Sequence, residues 1–362
     1  MALLVDIEKK LGDFTLQVNF RAENEIFALL GASGCGKSLT LKCIAGIERP
    51  DRGKILLDGR TLFDSDRGIC LKPQQRRAGY LFQQYALFPH MTVRQNIACG
   101  LRYRGGGRFR ASGTAGTDPG RQADAMQVNA MIARMQLQGL EDRKPAQLSG
   151  GQQQRTALAR ILINEPDIVM LDEPFSALDS HLRFHMEAEV TRQMRRYGKT
   201  VLLVSHDRDE VFRMSDSLAV MAGGGIEAAG PKRDVFLDPR TEAGARMTGC
   251  KNIAPARPLD SRHLYVPAWG MELETDRDCR EAAFAGIRMH DIRLCGDDAG
   301  PNCFRCRVAE VIENPFSYTI LLRTGQGQET IGMETDRQEW ETLGQEEPLV
   351  CISPESVLIL KA

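Results

Sequence analysis

The stretch IFALLGASGCGKSL, Ile26 to Leu39, decides the reading of this chain. Ile26 to Leu30 is an apolar run with the composition of a buried strand, and it leads straight into a glycine-rich turn. From Ser38 to Gly46 the composition turns helical. The turn from Gly31 to Ser38 satisfies G-x-x-x-x-G-K-[ST], and a place between strand and helix is the context a phosphate-binding loop requires. Its glycines let the backbone curl so that successive N–H groups point inward at phosphate oxygens, with the helix N-terminus adding the positive end of its dipole. The binding residues expected are Gly31, Ser33, Gly34, Cys35, Gly36, Lys37, Ser38 and Leu39. Lys37 would reach the β and γ phosphates of a nucleotide, and Ser38 would hold Mg²⁺ through its hydroxyl. The alternative is a turn of the same shape that binds nothing.

A second signal is IVMLDEP, where apolar residues from Ile168 to Leu171 lead into Asp172 and Glu173. A buried strand ending in two carboxylates places charge in the crevice where α/β sheets bind ligands. Asp172 would take part in Mg²⁺ coordination, and Glu173 would polarise the water that attacks the γ phosphate. Alone, the pair could be an ordinary strand-end turn. In a chain that also carries the phosphate loop, that reading loses ground.

Between these signals lies LSGGQQQR, Leu148 to Arg155, and with it the chain resembles the ATP-binding cassette ATPases, whose signature is LSGGQ. The resemblance implies an α/β P-loop NTPase with a RecA-like core, an antiparallel β subdomain and a helical subdomain. It also implies a head-to-tail homodimer with two ATP molecules sandwiched between its halves. Ser149, Gly150, Gly151 and Gln152 would then open a helix toward the γ phosphate held by the other subunit, although a plain helix cap needs the same residues. Gln83 in YLFQQYALFPH matches the glutamine that senses Mg²⁺ and the γ phosphate, with Gln84 the weaker match by position. Ser176-Ala177-Leu178-Asp179 matches the loop that crosses to the partner, and His206 matches the switch histidine. Phe14 is the nearest candidate for the ring that stacks on adenine, and a core strand position explains it equally well.

LFPHMTVRQNIACGL, Leu87 to Leu101, resembles the segment of importer ATPases that receives a short helix from a membrane permease. AGIRMHDIRL (Ala285 to Leu294), FRCRVAEVIENPFSYTILLRTG after it, and GCKNIAPA (Gly249 to Ala256) resemble TOBE, a small all-β OB-like domain appended to several such ATPases. With KKLGDFTLQVNF near the N-terminus, the nearest match is the molybdate or sulfate importer group. The expected organisation is a cassette over 1–240, with a helical subdomain at about 85–160, and a TOBE-like domain over 251–362. The segment Arg102 to Gln122 looks inserted, and its glycines and arginines read as a solvated loop, with contact to lipid headgroups or permease as the alternative.

Length and composition agree with this. A chain of 362 residues suggests two domains, and 47 basic against 48 acidic residues leave no global field that would advertise nucleic acid as a partner. No stretch approaches the ~20 apolar residues of a membrane span, and MALLVDIEKK lacks the apolar core of a signal peptide. The expected place is therefore the cytoplasmic face of the membrane. Ten cysteines scattered through the chain read as reduced thiols, and Cys303 with Cys306, the only C-x-x-C pair, reads as two strand residues, with a metal or redox role as the alternative. The expected function is an ATPase that energises uptake of an inorganic oxyanion, molybdate or sulfate, through permease subunits and, indirectly, an extracytoplasmic binding protein. Alternatives are an importer ATPase for iron, polyamine or sugar, and a soluble cassette outside transport.

Overall fold

A computed structural model describes residues 2–101, 119–176, 180–296, 300–343 and 346–361. Most of the glycine-rich insert, and Ala177 to Asp179 of the crossing loop, lie outside the described residues. The chain divides into two compact units, Met1–Ala229 and Gly230–Ala362.

The first unit is organised by a six-stranded sheet in the order Gly225–Pro231, Ser217–Ala222, Ile26–Gly31, Val201–Ser205, Ile168–Asp172, Ala78–Leu81. The strands from Ser217–Ala222 to Ala78–Leu81 pair in parallel. The three in its middle are buried along their whole length, which is why they read as unbroken apolar runs: a parallel strand is covered on both faces. Ala78–Leu81, too short to stand out in the sequence, closes the far edge beside Ile168–Asp172.

A second, antiparallel sheet has the order Phe14–Glu23, Ala2–Leu11, Arg52–Leu57, Arg60–Asp64, Ile69–Cys70. In FTLQVNFRAE every second residue, Leu16, Val18, Phe20 and Ala22, is buried, the alternation of a sheet with one wet face. Its inner face shares one core with the helix Lys37–Ala45 and with Ile168, Met170, Leu202 and Val204 of the parallel sheet. Arg76 is fully buried where that helix ends. Its guanidinium donates to the carbonyls of Cys43 (2.7 Å), Ile44 (2.9 Å) and Leu71 (2.8 Å). Gly46, the residue that ends the helix, must be glycine on two counts: its φ is 78°, and a Cβ would stand 2.5 Å from Arg76 Nε. The helical part comprises Val93–Leu101, Pro119–Arg134 and Gly150–Leu162, the first packed on the third.

The second unit is a β domain of OB-like character with its own core, in which Leu264, Trp269, Ile320, Met333 and Val350 are buried. Its largest sheet runs Ile292–Leu294, Leu349–Ile352, Cys303–Glu313, Ser317–Thr324, Ile331–Asp336. It also holds short helices at Lys232–Leu237, Glu242–Met247 and Arg337–Leu343, which the sequence reading did not assign to it. The boundary between the two units lies at 229/230, and residues 240–248 are hydrogen-bonded within the second unit. Glu242 N donates to Lys361 O (3.0 Å), Lys361 N to Arg240 O (2.9 Å), and Arg288 Nη1 to Thr248 O (2.8 Å).

Candidate nucleotide site

The strand Ile26–Gly31 ends where its neighbour crowds it. A Cβ on Gly31 would lie 2.5 Å from the Met221 carbonyl oxygen, so only glycine lets the chain turn away there. Gly34 and Gly36 follow with φ of 83° and 107°, and Gly36 caps the helix Lys37–Ala45. Lys37 is buried, and its ammonium donates to the carbonyls of Gly31 (2.7 Å) and Ala32 (2.8 Å), so the side chain lies folded back along the loop. Ser38 Oγ donates to Asp172 Oδ1 at 2.7 Å across the top of the sheet. Ser38 and Asp172 thus offer neighbouring hard oxygen donors, the ligand type Mg²⁺ takes, and the residues present fit that ion.

The other oxygen of Asp172 is held by a residue that the sequence reading missed. Tyr80, on the edge strand Ala78–Leu81, donates its hydroxyl to Asp172 Oδ2 at 2.7 Å. Burial, reinforced by the adjoining carboxylate, pushes that hydroxyl far above the usual phenol range, so it stays a donor. The strand places Tyr80 opposite Met170, two residues before Asp172. Recognising the short run AGYL as a fifth parallel strand would have been the only sequence signal.

Glu173 is left-handed at φ 45°, uncommon for a residue with a side chain, and its N–H is fixed to Val204 O at 3.0 Å. This turn aims the carboxylate at two of the residues expected from sequence. Gln83 Nε2 reaches Oε2 at 3.5 Å and His206 Nδ1 lies 3.3 Å from Oε1. Gln83 therefore meets Glu173, while Ser38 and Tyr80 occupy Asp172. Tyr85 Oη and Gln154 Nε2 both donate to the carbonyl of Pro174, each at 3.2 Å, which ties the turn after Glu173 to the helix Gly150–Leu162.

That helix opens with Ser149 and Gln152 in a reciprocal cap. Gln152 N donates to Ser149 Oγ (3.4 Å), and Ser149 N donates to Gln152 Oε1 (3.0 Å). Gly150 follows the cap, and Gly151 is buried, with room for a Cβ limited by Met186 Sδ at 3.0 Å. Among the described residues, no hydrogen bond joins these four to Gly31–Leu39. Phe14 starts its strand beside the phosphate loop: Cβ atoms on Gly36 and Gly224 would stand 3.2 and 3.3 Å from its ring. It is partly buried against the core of the first unit, so it has both an apolar backing and an open side.

Past His206, Asp207 caps the helix Arg208–Met214 by accepting from Asp209 N (2.9 Å) and Glu210 N (3.1 Å). Glu210 is buried below the site and accepts from Ser205 Oγ at 3.1 Å, beside a cavity of about 60 Å³ that Glu173 and His206 also line. Burial pushes its carboxyl up to about 8, against 4.5 for an ordinary glutamate. A carboxyl raised in the folded state binds its proton more tightly there than in the unfolded chain. Its favourable contribution is complete below pH 4.5 and is lost as pH rises toward 8. Glu210→Gln should therefore flatten the fall in melting temperature of the first unit between about pH 5 and pH 8, as read by calorimetry. An unchanged slope would place that titration elsewhere.

Comparison with known proteins agrees with this geometry. The family model described as ABC transporter matches residues 14–176. A spermidine/putrescine import ATP-binding protein of Methylococcus capsulatus is 41% identical over 298 residues, covering 80% of this chain and 71% of that one. A molybdenum import ATP-binding protein of Paramagnetospirillum magneticum is 38% identical over 248 residues, 67% of this chain and 64% of that one. Among solved structures, a dimeric ATP-binding cassette in a post-hydrolysis state with ADP and Pi superimposes with a TM-score of 0.51 at 28% identity. It covers 64% of this chain and 99% of that cassette. Sheet order, site geometry and relatives lead to one conclusion: this chain belongs to the ABC transporter family, as an ATP-binding subunit of importer type.

Proposed function

We propose that the chain hydrolyses ATP as one half of a homodimer and that hydrolysis drives uptake through membrane permease subunits. The observation that carries the catalytic part is the convergence of Gln83 and His206 on Glu173, one residue beyond the Ser38–Asp172 pair. Lys37 exchanges its loop carbonyls for the β and γ phosphates, and the Gly31–Leu39 backbone cradles them. Ser38 and Asp172 would hold Mg²⁺, which supplies charge neutralisation at the phosphates, and Gln83, whose contact in this structure is Glu173, is assigned to the same ion from its motif. Glu173 orients and deprotonates the attacking water, while His206 hydrogen-bonds the γ phosphate. Phe14 backs the adenine. Ser149 to Gln152 serve the nucleotide of the partner subunit, and Asp179, which lies outside the described residues, is assigned to the same nucleotide from its place in the motif. The Pro174 tether to Gln154 gives Glu173 a mechanical link to the helix that starts at the signature.

No described helix is long and apolar enough to cross a membrane, and the proposed place is peripheral, against permease subunits that receive a solute from an extracytoplasmic binding protein. For that solute, a polyamine is supported better than the oxyanion expected from sequence. The spermidine/putrescine relative is matched at higher identity and over more of its length than the molybdenum one. Molybdate or sulfate stays as the second reading, supported by the molybdenum relative. Replacing Lys37 with alanine in cells should stop entry of labelled putrescine or spermidine and leave molybdate entry intact. Loss of molybdate or sulfate entry alone would reverse the order of the two readings.

A further inference from the structure

In the largest sheet of the second unit, Leu349–Ile352 lies between Ile292–Leu294 and Cys303–Glu313. Cys351 of the middle strand pairs in register with Cys303 on one side and with Arg293 on the other. Cys295 follows Arg293 by two residues and is fixed to the middle strand by its N–H to Leu349 O at 3.0 Å. Residues in register, or two apart on a strand, share a face. The thiols of Cys295, Cys303 and Cys351 therefore converge, all within 4.8 Å of one another and all half-buried. Val350 and Ile352, which flank Cys351, point into the core. Cys306 has the wrong parity to join: it lies three residues beyond Cys303, on the opposite face, where burial pushes its thiol up to about 11. The C-x-x-C spacing thus names one member of this cluster and one core residue.

Three thiols converge here, yet one sulfur makes one disulfide at a time. Any disulfide at this place leaves one thiol over. The Cα atoms of Cys303 and Cys351 are 4.2 Å apart, below the usual disulfide span of about 4.4–6.8 Å, while those of Cys295 and Cys351 are 6.1 Å apart, inside it, so a disulfide could use only the second pair and would leave Cys303 over. Three thiolates around a single ion, by contrast, each bond at about 2.3 Å, which sets sulfurs about 4 Å apart and uses all of them.

We propose that Cys295, Cys303 and Cys351 form a three-thiolate site for a thiophilic d¹⁰ cation, Zn²⁺ being the probe ion. The site pins three neighbouring strands of the second unit together and leaves a fourth coordination position open to water. Each thiol loses its proton on binding, so loading releases protons and strengthens as pH rises. The full chain, reduced, equilibrated with ZnCl₂ and desalted, should retain about one zinc per molecule. Cys351→Ser and Cys303→Ser should retain none, whereas Cys306→Ser should keep it. Co²⁺ in place of Zn²⁺ should give thiolate-to-metal absorption in the near ultraviolet that the same two variants abolish, with circular dichroism reporting that they are folded. Zinc content in wild type no higher than in Cys351→Ser overturns the site. So does a thiol titration of the chain purified without reductant and then denatured with a chelator that finds two fewer thiols than the ten in the sequence, since that outcome assigns a disulfide.

Discussion

Glu173→Gln is expected to bind ATP as the parent does and to hydrolyse it about 10²–10⁴-fold more slowly, the usual worth of a positioned general base. Glutamine preserves the length and shape of the side chain, and the left-handed turn at position 173 is set by the Glu173 N–H to Val204 O bond, which the substitution does not touch. The nucleotide contacts assigned to Lys37, Ser38 and Asp172 lie outside the change, so affinity has no reason to fall. What disappears is the negative charge between Gln83 and His206 and, with it, the ability to take a proton from water. Binding with hydrolysis stalled should accumulate ATP-bound dimer, visible by size-exclusion chromatography with ATP and its absence without. Turnover at the parental rate would remove Glu173 from the role of base.

Lys37→Ala acts at the earlier step. The ammonium is buried and held by two loop carbonyls, so on exchanging them for phosphate oxygens it gives ATP a charge partner that is largely out of water. Truncating one partner of a desolvated charge pair costs about 2–5 kcal/mol, which is roughly 30-fold or more in affinity. The carbonyls of Gly31 and Ala32 would also lose their donor, loosening the loop even without ligand. Equilibrium binding of a fluorescent ATP analogue is the measurement, and affinity within a few-fold of the parent would show that the loop binds without its lysine. The two substitutions separate binding from chemistry: Lys37→Ala loses both, Glu173→Gln only the second.

The parts of the site that could be read from sequence are those whose determinants lie close together in the chain. Ile26 to Leu39 contains a strand, a turn and a helix start in one unbroken stretch, and both its apolar run and its glycines have local causes. The same holds for Ile168–Asp172 and for Ser149 with Gln152. The parts that stayed hidden depend on which strands become neighbours. Tyr80 meets Asp172 across 92 residues, and Cys351 meets Cys303 and Cys295 across 48 and 56. No local period encodes such pairings, and the C-x-x-C spacing marks only that Cys303 and Cys306 lie on one strand. Glu210 lay four residues from an expected site residue and was passed over because its burial comes from the packing of Arg208–Met214 under the sheet. The solute was read from short strings, and no side chain assigned here touches it.

Arg76 gives the helix behind the phosphate loop an unusual mechanical character. A helix whose last carbonyls are gripped by a fully buried guanidinium cannot fray or slide at that end without exposing a charge in the core. A residue at position 76 without those donors would leave the buried carbonyls of Cys43, Ile44 and Leu71 unsatisfied, so the helix behind the phosphate loop would loosen from its far end.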